Sequence, residues 1–276
     1  MARKTFEMQK LDELRKKMIY KTKERVREAY TSRDVLVVQA INAIDELAAI
    51  TNTMTMRLRE WYSVYFPEMG RQVTDSADFV KAVQGLPSRE GINEHELSKA
   101  LGEGLAKKIA SLSKSSMGAP LNEDDLKTAK QYAHAIEQLQ SQEAVLEGYL
   151  EKVMKEIAPN TSMVAGPKLG AKLIAHAGSL EKLAMLPSST IQIMGAEKAL
   201  FKHLKQGKKP PKHGLIFQHS AISTGKQKLR GKIARTIAAK ISIACKEDYF
   251  SKGKKDNGAK LLGELNKRLD AIRAQG

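Results

Sequence analysis

From Val37 to Tyr65 the chain keeps apolar side chains three and four residues apart, at Val37, Ile41, Ile44, Ala48, Leu58, Tyr62 and Tyr65, with Thr51 and Thr55 in the same row. A strand alternates every two residues and cannot hold that spacing, so the stretch is committed to one long helix with a heptad seam. Ser32 or Asp34 is placed to cap its start, and Pro67 stops it. The pattern returns at Tyr132, Ile136, Leu139, Leu146, Leu150, Val153 and Ile157, interrupted by Glu143. This second helix opens at Asn122, with Glu123, Asp124 and Asp125 in the first turn, where they complement the helix dipole. Two seams of matching length predict a long antiparallel coiled-coil hairpin. The polar residues within the seams fit ordinary core burial and a partner-selecting interface equally well, and self-association is the expectation taken forward. Residues 73–120 carry Gly85-Leu86-Pro87, Gly91, Gly102, Gly104 and Gly118-Ala119-Pro120, so short helices and turns are expected at the far end of the hairpin.

Charge divides the chain. Residues 1–158 contain 24 Lys+Arg and 24 Asp+Glu, whereas residues 159–276 contain 23 against 7, so the later part carries the entire net charge of +16. Self-repulsion at that density is a cost unless a polyanion offsets it, and nucleic acid is the commonest such partner. The expected division is therefore a neutral helical dimerisation domain, 1–158, followed by a basic binding domain, 159–276. A hinge is expected at 159–167, where Pro159 and Pro167 bracket a break in helical pattern. Aromatic residues make up only 5%, and β-branched runs are brief, so both parts are expected to be all-α.

Within the basic part, Ser188 to His219 concentrates the chemistry. Gly195 breaks the run Thr190-Ile191-Gln192-Ile193-Met194, and a short helix should then extend from Ala196 until Gly207 caps it. Lys198, Lys202 and Lys205 share one face of that helix, and Leu200 and Leu204 form a neighbouring stripe able to dock inward. Lys208-Lys209-Pro210-Pro211-Lys212-His213 then holds several cations on a path that two prolines stiffen. Farther on, Leu229, Ile233, Ile237 and Ile241 make a buried row, with Lys228, Lys232 and Arg235 on the opposite side. Lys252, Lys254, Lys255 and Lys260 are expected in a loop before a closing helix. Stacked cationic faces of this kind suit a phosphate backbone. His176, among Leu173, Ile174 and Ala177, is expected as a hydrogen-bonded core histidine.

Other classes find little support. Thr224-Gly225-Lys226 lacks both the first glycine and the hydroxyl residue of a phosphate loop, because Ser220 and Gln227 stand in those places. His95-Glu96 lacks the second histidine of a zinc helix, and no carboxylate pair or Ser/His/Asp set stands out, so neither catalysis, a metal nor a cofactor is expected. The lone Cys245 lies in an apolar run, excludes an intramolecular disulfide and reads as a packed core thiol inside a cell. No stretch approaches the roughly 18 apolar residues of a membrane span.

The string GPKLGAKLIAHAGSLEKLAMLPSSTIQIMGAEKALFKHLKQGKKPPKHGLIFQH, followed by RGKIARTIAAK and Asp248-Tyr249-Phe250, resembles the Nop domain of archaeal and nucleolar box C/D ribonucleoprotein scaffolds. The segment from Ser32 through REWYSVYFPEM to Ile157 resembles that family's coiled-coil domain more loosely. The resemblance implies a non-enzymatic scaffold in RNA 2′-O-methylation complexes, with a coiled coil that dimerises. Its compact helical Nop domain would bind kink-turn guide RNA jointly with the kink-turn-binding protein. Gly195-Ala196-Glu197-Lys198 matches the motif that meets this composite surface. Ala199-Leu200-Phe201-Lys202 matches the adjacent motif, whose apolar part caps a guide-substrate duplex; Lys202 stands where Arg is usual and loses the planar fork. The residues assigned to RNA or RNP contact are these eight together with Lys205, Lys212, His213, Gln218, His219, Arg230, Lys232 and Arg235. Family scaffolds also carry an N-terminal domain that holds fibrillarin; this chain begins almost directly at the helices leading into the coiled coil, and fibrillarin recruitment is not read from these residues. Such a protein would be cytoplasmic in an archaeon and nucleolar in a eukaryote. Two other readings stay open, a spliceosomal Nop paralogue that binds snRNA and a helix-hairpin-helix element, GPKLGAKLIAHAG, that would grip DNA backbone through glycine amides.

Overall fold

The computed structural model describes residues 2–86, 88–89, 91–92, 94–252 and 256–274, and among them every regular element is helical. The first part of the chain forms α1 (Ala2–Thr31), α2 (Asp34–Tyr65), α3 (Pro67–Gln72), α4 (Ser76–Gly85), α5 (Glu94–Leu101), α6 (Glu103–Ser113) and α7 (Glu123–Ile157). Then follow α8 (Pro159–Ala165), α9 (Pro167–Ala177), α10 (Leu180–Met185), α11 (Ser188–Ile193), α12 (Glu197–Gln206), a 3-10 turn at Leu215–Gln218, α13 (Ser220–Ser223), α14 (Arg230–Ser251) and α15 (Gly258–Ala274). None of the described helices is long and apolar enough to cross a membrane. The chain divides into two compact units, Ala43–Glu147 and Met1–Asn42 with Gly148–Gly276, so α2 and α7 each contribute to both.

The unit Ala43–Glu147 gathers its core from seam residues and from the short helices between them. Leu58, Tyr62 and Tyr65 of α2 and Ile136 of α7 are buried with Phe66, Met69, Phe79, Val83 and Ile109. Tyr62 meets Tyr65 and Phe79 edge to face, at ring separations of 5.6 and 6.2 Å. Arg59 locks the turn before α4, donating to the carbonyls of Val73 at 2.7 Å and Asp75 at 2.9 Å while lying over the Phe79 ring. Asn122 caps α7 as expected, its side-chain oxygen accepting from the Asp125 amide at 2.7 Å. Thr51 and Thr55 are buried as their place in the seam predicts, with no hydrogen-bond partner for either hydroxyl among the described residues.

The second unit is built around α14. Ile233, Ile237 and Ile241 form the expected buried row, and Cys245 continues it as a core thiol whose burial pushes its pKa up to about 12. Around this row pack α8, α10, α11, α13 and α15. The stretch expected as a hinge is instead among the most firmly held parts of the fold. Residues 159–165 are helical, Asn160 and Thr161 are fully buried, and both backbone amides donate to the Asp248 carboxylate, at 3.0 and 2.8 Å. The Asn160 amide and Thr161 hydroxyl add bonds of 2.7 Å each to the same group. The acceptor lies 88 residues from Asn160 in the chain, so the proline that reads as a break serves as the first residue of a helix capped from α14.

The opening of α2 also differs from expectation. Asp34 is buried, but its carboxylate accepts from the Leu180 amide at 3.0 Å, so it helps to cap α10 rather than its own helix. Arg33 beside it pairs with Glu156 of α7. Lys260 lies in α15 rather than in a loop, Lys252 ends α14 in the left-handed region, and Lys254 and Lys255 fall outside the described residues. Replacing Asp248 with Ala strands four donors in the core, and a loss of about 3 kcal/mol is expected. Chemical denaturation of the full chain measures this, and a variant as stable as the parent would remove Asp248 from that role.

Candidate nucleic-acid interface

The turn that opens α12 is shaped by two residues. Gly195 has φ 83°, and a Cβ there would lie 2.6 Å from the Leu215 side chain, so only glycine fits the turn. Glu197 folds back to accept from the Gly195 amide and from His176 Nε2, both at 2.7 Å. Burial is the largest influence on its carboxyl and pushes the pKa up, but the Gly195 amide, its own amide and His176 together pull it below the usual range. His176 is thus not a core residue: it is 41% exposed and pairs across to the turn, because α9 ends at Gly178 and presents its last turn at the surface.

Beyond the turn, α12 buries no side chain. Lys198, Ala199, Lys202 and Lys205 are exposed, and so are Phe201 at 58% and Leu204 at 68%. The inward-docking stripe is therefore reduced to Leu200, which is half-buried at the edge of an apolar groove of about 700 Å³. Met185, Leu186, Ile193 and Met194 also line the groove, along with Glu181, Lys182, His176 and Glu197. Leu204 meets no other part of the fold that buries it, and Gly207, in the left-handed region, ends the helix as expected.

The cationic loop returns against the turn. His203 Nδ1 meets the Lys208 carbonyl, the Gln192 side chain donates to the Lys212 carbonyl at 2.8 Å, and the Gly214 amide donates to the Gln192 carbonyl at 3.0 Å. The approach is so close that a Cβ on Gly214 would lie 2.0 Å from the Met194 carbonyl oxygen. His213 stacks on Phe217, centroids 4.6 Å apart and 18° between planes, and the Arg230 guanidinium lies 5.4 Å from the Phe217 centroid. Burial first, then the charges of Arg230 and Lys212, hold the His213 pKa below its ordinary value. Lys212 runs beside α14: its Cδ lies 3.7 Å from where a Gly231 Cβ would stand. Lys228, expected on the helix face, lies in the turn just before α14, and it, Lys232 and Arg235 are exposed; the loop, through Lys212, thus lies beside this basic end of α14.

The remaining assigned residues divide by their contacts. Gln218 is exposed and Ala196 half-buried. Arg230 is committed to bracing, donating to the carbonyls of Gly225 and Ser223 at 3.0 and 3.1 Å. His219 is half-buried, with Nδ1 accepting from the Ala221 amide at 3.2 Å and Nε2 facing the Val164 carbonyl at 3.3 Å. An accepting Nδ1 requires the neutral ring with its proton on Nε2. The glycine amides that would grip DNA are spent internally, with Gly166, Gly170 and Gly178 bonding to Ser162, Gly166 and Ile174, which removes the footing of the helix-hairpin-helix reading. Sequence reasoning missed Gln192, Phe217 and Gly231: Gln192 and Gly231 meet Lys212 across about 20 residues, and Phe217 stacks on His213 four residues earlier but across the Gly214 turn, where no helical pattern flags the pair.

Burial keeps the His219 pKa below its ordinary value, with the Val164 carbonyl partly opposing. The unfolded chain therefore binds more protons below a pH of about 6.5, and the stability present above that pH is lost as it falls toward the folded pKa. His213 acts in the same direction. Melting temperature should drop between about pH 7 and 5.5, a window above most carboxylate titration, and His219→Gln should flatten that drop; an unchanged profile would remove His219 as its source.

Known proteins resemble the chain both in sequence and in structure. The Nop family, described as a snoRNA binding domain with fibrillarin, matches residues 43–271. A NOP5 family protein of Methanocaldococcus jannaschii is 43% identical over 266 residues, which are 95% of this chain and 64% of that one. Nucleolar protein 58 of Candida albicans is 39% identical over 240 residues, 84% of this chain and 46% of its own length. The chain thus spans about half to two thirds of these relatives. In structure it is similar to a chain of a crystallised fibrillarin/Nop5p complex, with a TM-score of 0.54, 26% identity, and coverage of 94% of this chain and 78% of that one. The glycine-built turn, the exposed α12 and the cationic loop all fall within the matched span, and the chain belongs to the Nop family.

Proposed function

We propose that this chain is a non-enzymatic scaffold of box C/D-type ribonucleoproteins, in which the basic domain, 159–276, binds kink-turn guide RNA jointly with the kink-turn-binding protein. One observation carries the reading: the Gly195 turn, the unburied α12 and the loop bonded to Gln192 of α11 and lying beside α14 present cationic and apolar groups together in the part of the chain that holds all the net charge. Lys198, Lys202, Lys205, Lys212, Lys232 and Arg235 would meet phosphates. Phe201 and Leu204 would cap a terminal base pair, since nothing in the fold uses their apolar faces. The groove beside Leu200 is largely apolar, with Glu181, Lys182 and the Glu197–His176 pair around it, a mixed chemistry that suits the protein member of the composite partner better than a phosphate backbone. The domain 1–158 would dimerise, supported by Ile50, Met56 and Val145, which remain exposed on the two long helices. We assign no residue of this chain to fibrillarin. Such a role belongs in archaeal cytoplasm or in a eukaryotic nucleolus.

The test is binding of the full chain to kink-turn RNA preloaded with its binding protein, titrated across salt. Each phosphate contact should add about 0.9 to the slope of log affinity against log salt, and a slope near zero would end the phosphate reading. Lys198→Ala should flatten the slope by about one unit. Phe201→Ala should weaken binding by about 1 to 3 kcal/mol while leaving the slope and the melting temperature unchanged; unaltered affinity would exclude stacking. Light scattering should give the mass of a dimer for the chain and of a monomer for Ile50→Glu/Val145→Glu, and a monomeric parent would remove the dimer.

A further inference from the structure

The basic face of α14 has a gap in it. Gly231 lies four residues before Arg235 on α14 and three after Lys228, which stands in the turn that leads into the helix, so it occupies the same surface row, with Lys232 as its chain neighbour. Gly231 is the second residue of α14, and no left-handed φ calls for glycine there, so the missing side chain is not explained by the backbone. What fills the gap is a cation from elsewhere, the stem of Lys212, with its Cγ and Cδ 3.9 and 3.7 Å from the position of a Gly231 Cβ. Lys212 is also fixed through its backbone. Gln192 holds its carbonyl, the neighbouring Gly214 amide is bonded to Gln192 in turn, and the next ring, His213, is stacked on Phe217.

We propose that Gly231 is a positioning residue: by leaving room for the Lys212 stem, it brings a fourth cation into the row of Lys228, Lys232 and Arg235 and builds a site for RNA phosphate. Like charges repel when gathered this way, and among the described residues none of the four forms an ion pair with a carboxylate. An anion from outside is what offsets the repulsion, and a lysine already seated along a helix surrenders less side-chain freedom on binding than a free one. The inference rests on the RNA reading above and names a residue that touches no RNA.

Binding of the full chain to the same protein-loaded kink-turn RNA tests it, at temperatures below each variant's melt. Gly231→Leu fills the gap, and Gly231→Gln serves as a second bulky variant. Both should bind roughly tenfold more weakly with a salt slope lower by about 0.9. Gly231→Ala, whose Cβ makes only ordinary contact with the stem, should restore both values. In a Lys212→Ala background the bulky variants should cause no further loss. Bulky variants that bind with the parent's affinity and slope would overturn the inference while leaving the RNA reading intact, and so would an equal loss in the Lys212→Ala background. A parent without salt dependence would overturn both.

Discussion

Asp248 lies near the end of α14, and its carboxylate collects the first amides of α8 along with two side-chain donors. Asn160, one of those donors, also accepts from the Asn257 amide just before α15, so a single buried acid ties three helices together at one end of the unit. A buried carboxylate left alone would be severely destabilising; here four hydrogen bonds offset part of its lost hydration, while burial still holds its pKa above the ordinary value. With that end fixed, the opposite end of α14 is free to serve as a platform. There Arg230 braces the turn after α13, and Gly231 receives Lys212.

The surface built on this platform carries features that do not serve the fold by itself. Helix α12 spends no side chain on the core, and two large apolar groups point to solvent between lysines. The turn before it is closed by Glu197, which spends a carboxylate on a backbone amide and a histidine rather than on any of the nearby cations. The result is a backbone held rigidly by short polar contacts while its lysines remain uncompensated. Such an arrangement concentrates positive potential where ordering costs have already been met in folding.

The long helices show how polar residues can share a seam with apolar ones. At Leu58 and Tyr62 the row is fully buried and joined to the aromatic cluster of the short helices, whereas around Glu143 and Leu146 it is only half-buried. Burial at Thr51 and Thr55 without a hydrogen-bond partner adds a cost that a purely apolar seam would avoid. Helix identity in these stretches therefore comes from spacing, and the degree of burial along them from what each turn of helix meets.

Periodicity made the helical class legible, along with both long helices, the cap at Asn122, the buried isoleucine row of α14 and the Gly207 end of α12, because each depends on contacts within a few residues in the chain. The location of the net charge and the motif strings of the interface could be read in the same way. Three readings failed for a common reason. The supposed hinge at Pro159 is a helix capped by a residue far along the chain, His176 pairs with a turn 21 residues on, and Leu204 finds no core to enter. Likewise, nothing in the order of residues reveals that Gly231 lies beneath Lys212 or that Phe217 carries His213. Local propensity determined which stretches form the long helices and which of their faces are apolar or basic. Which faces became core and which became surface, and which distant side chains came to share a site, was decided only by tertiary packing, because burial and long-range hydrogen bonding depend on partners that sequence spacing does not specify.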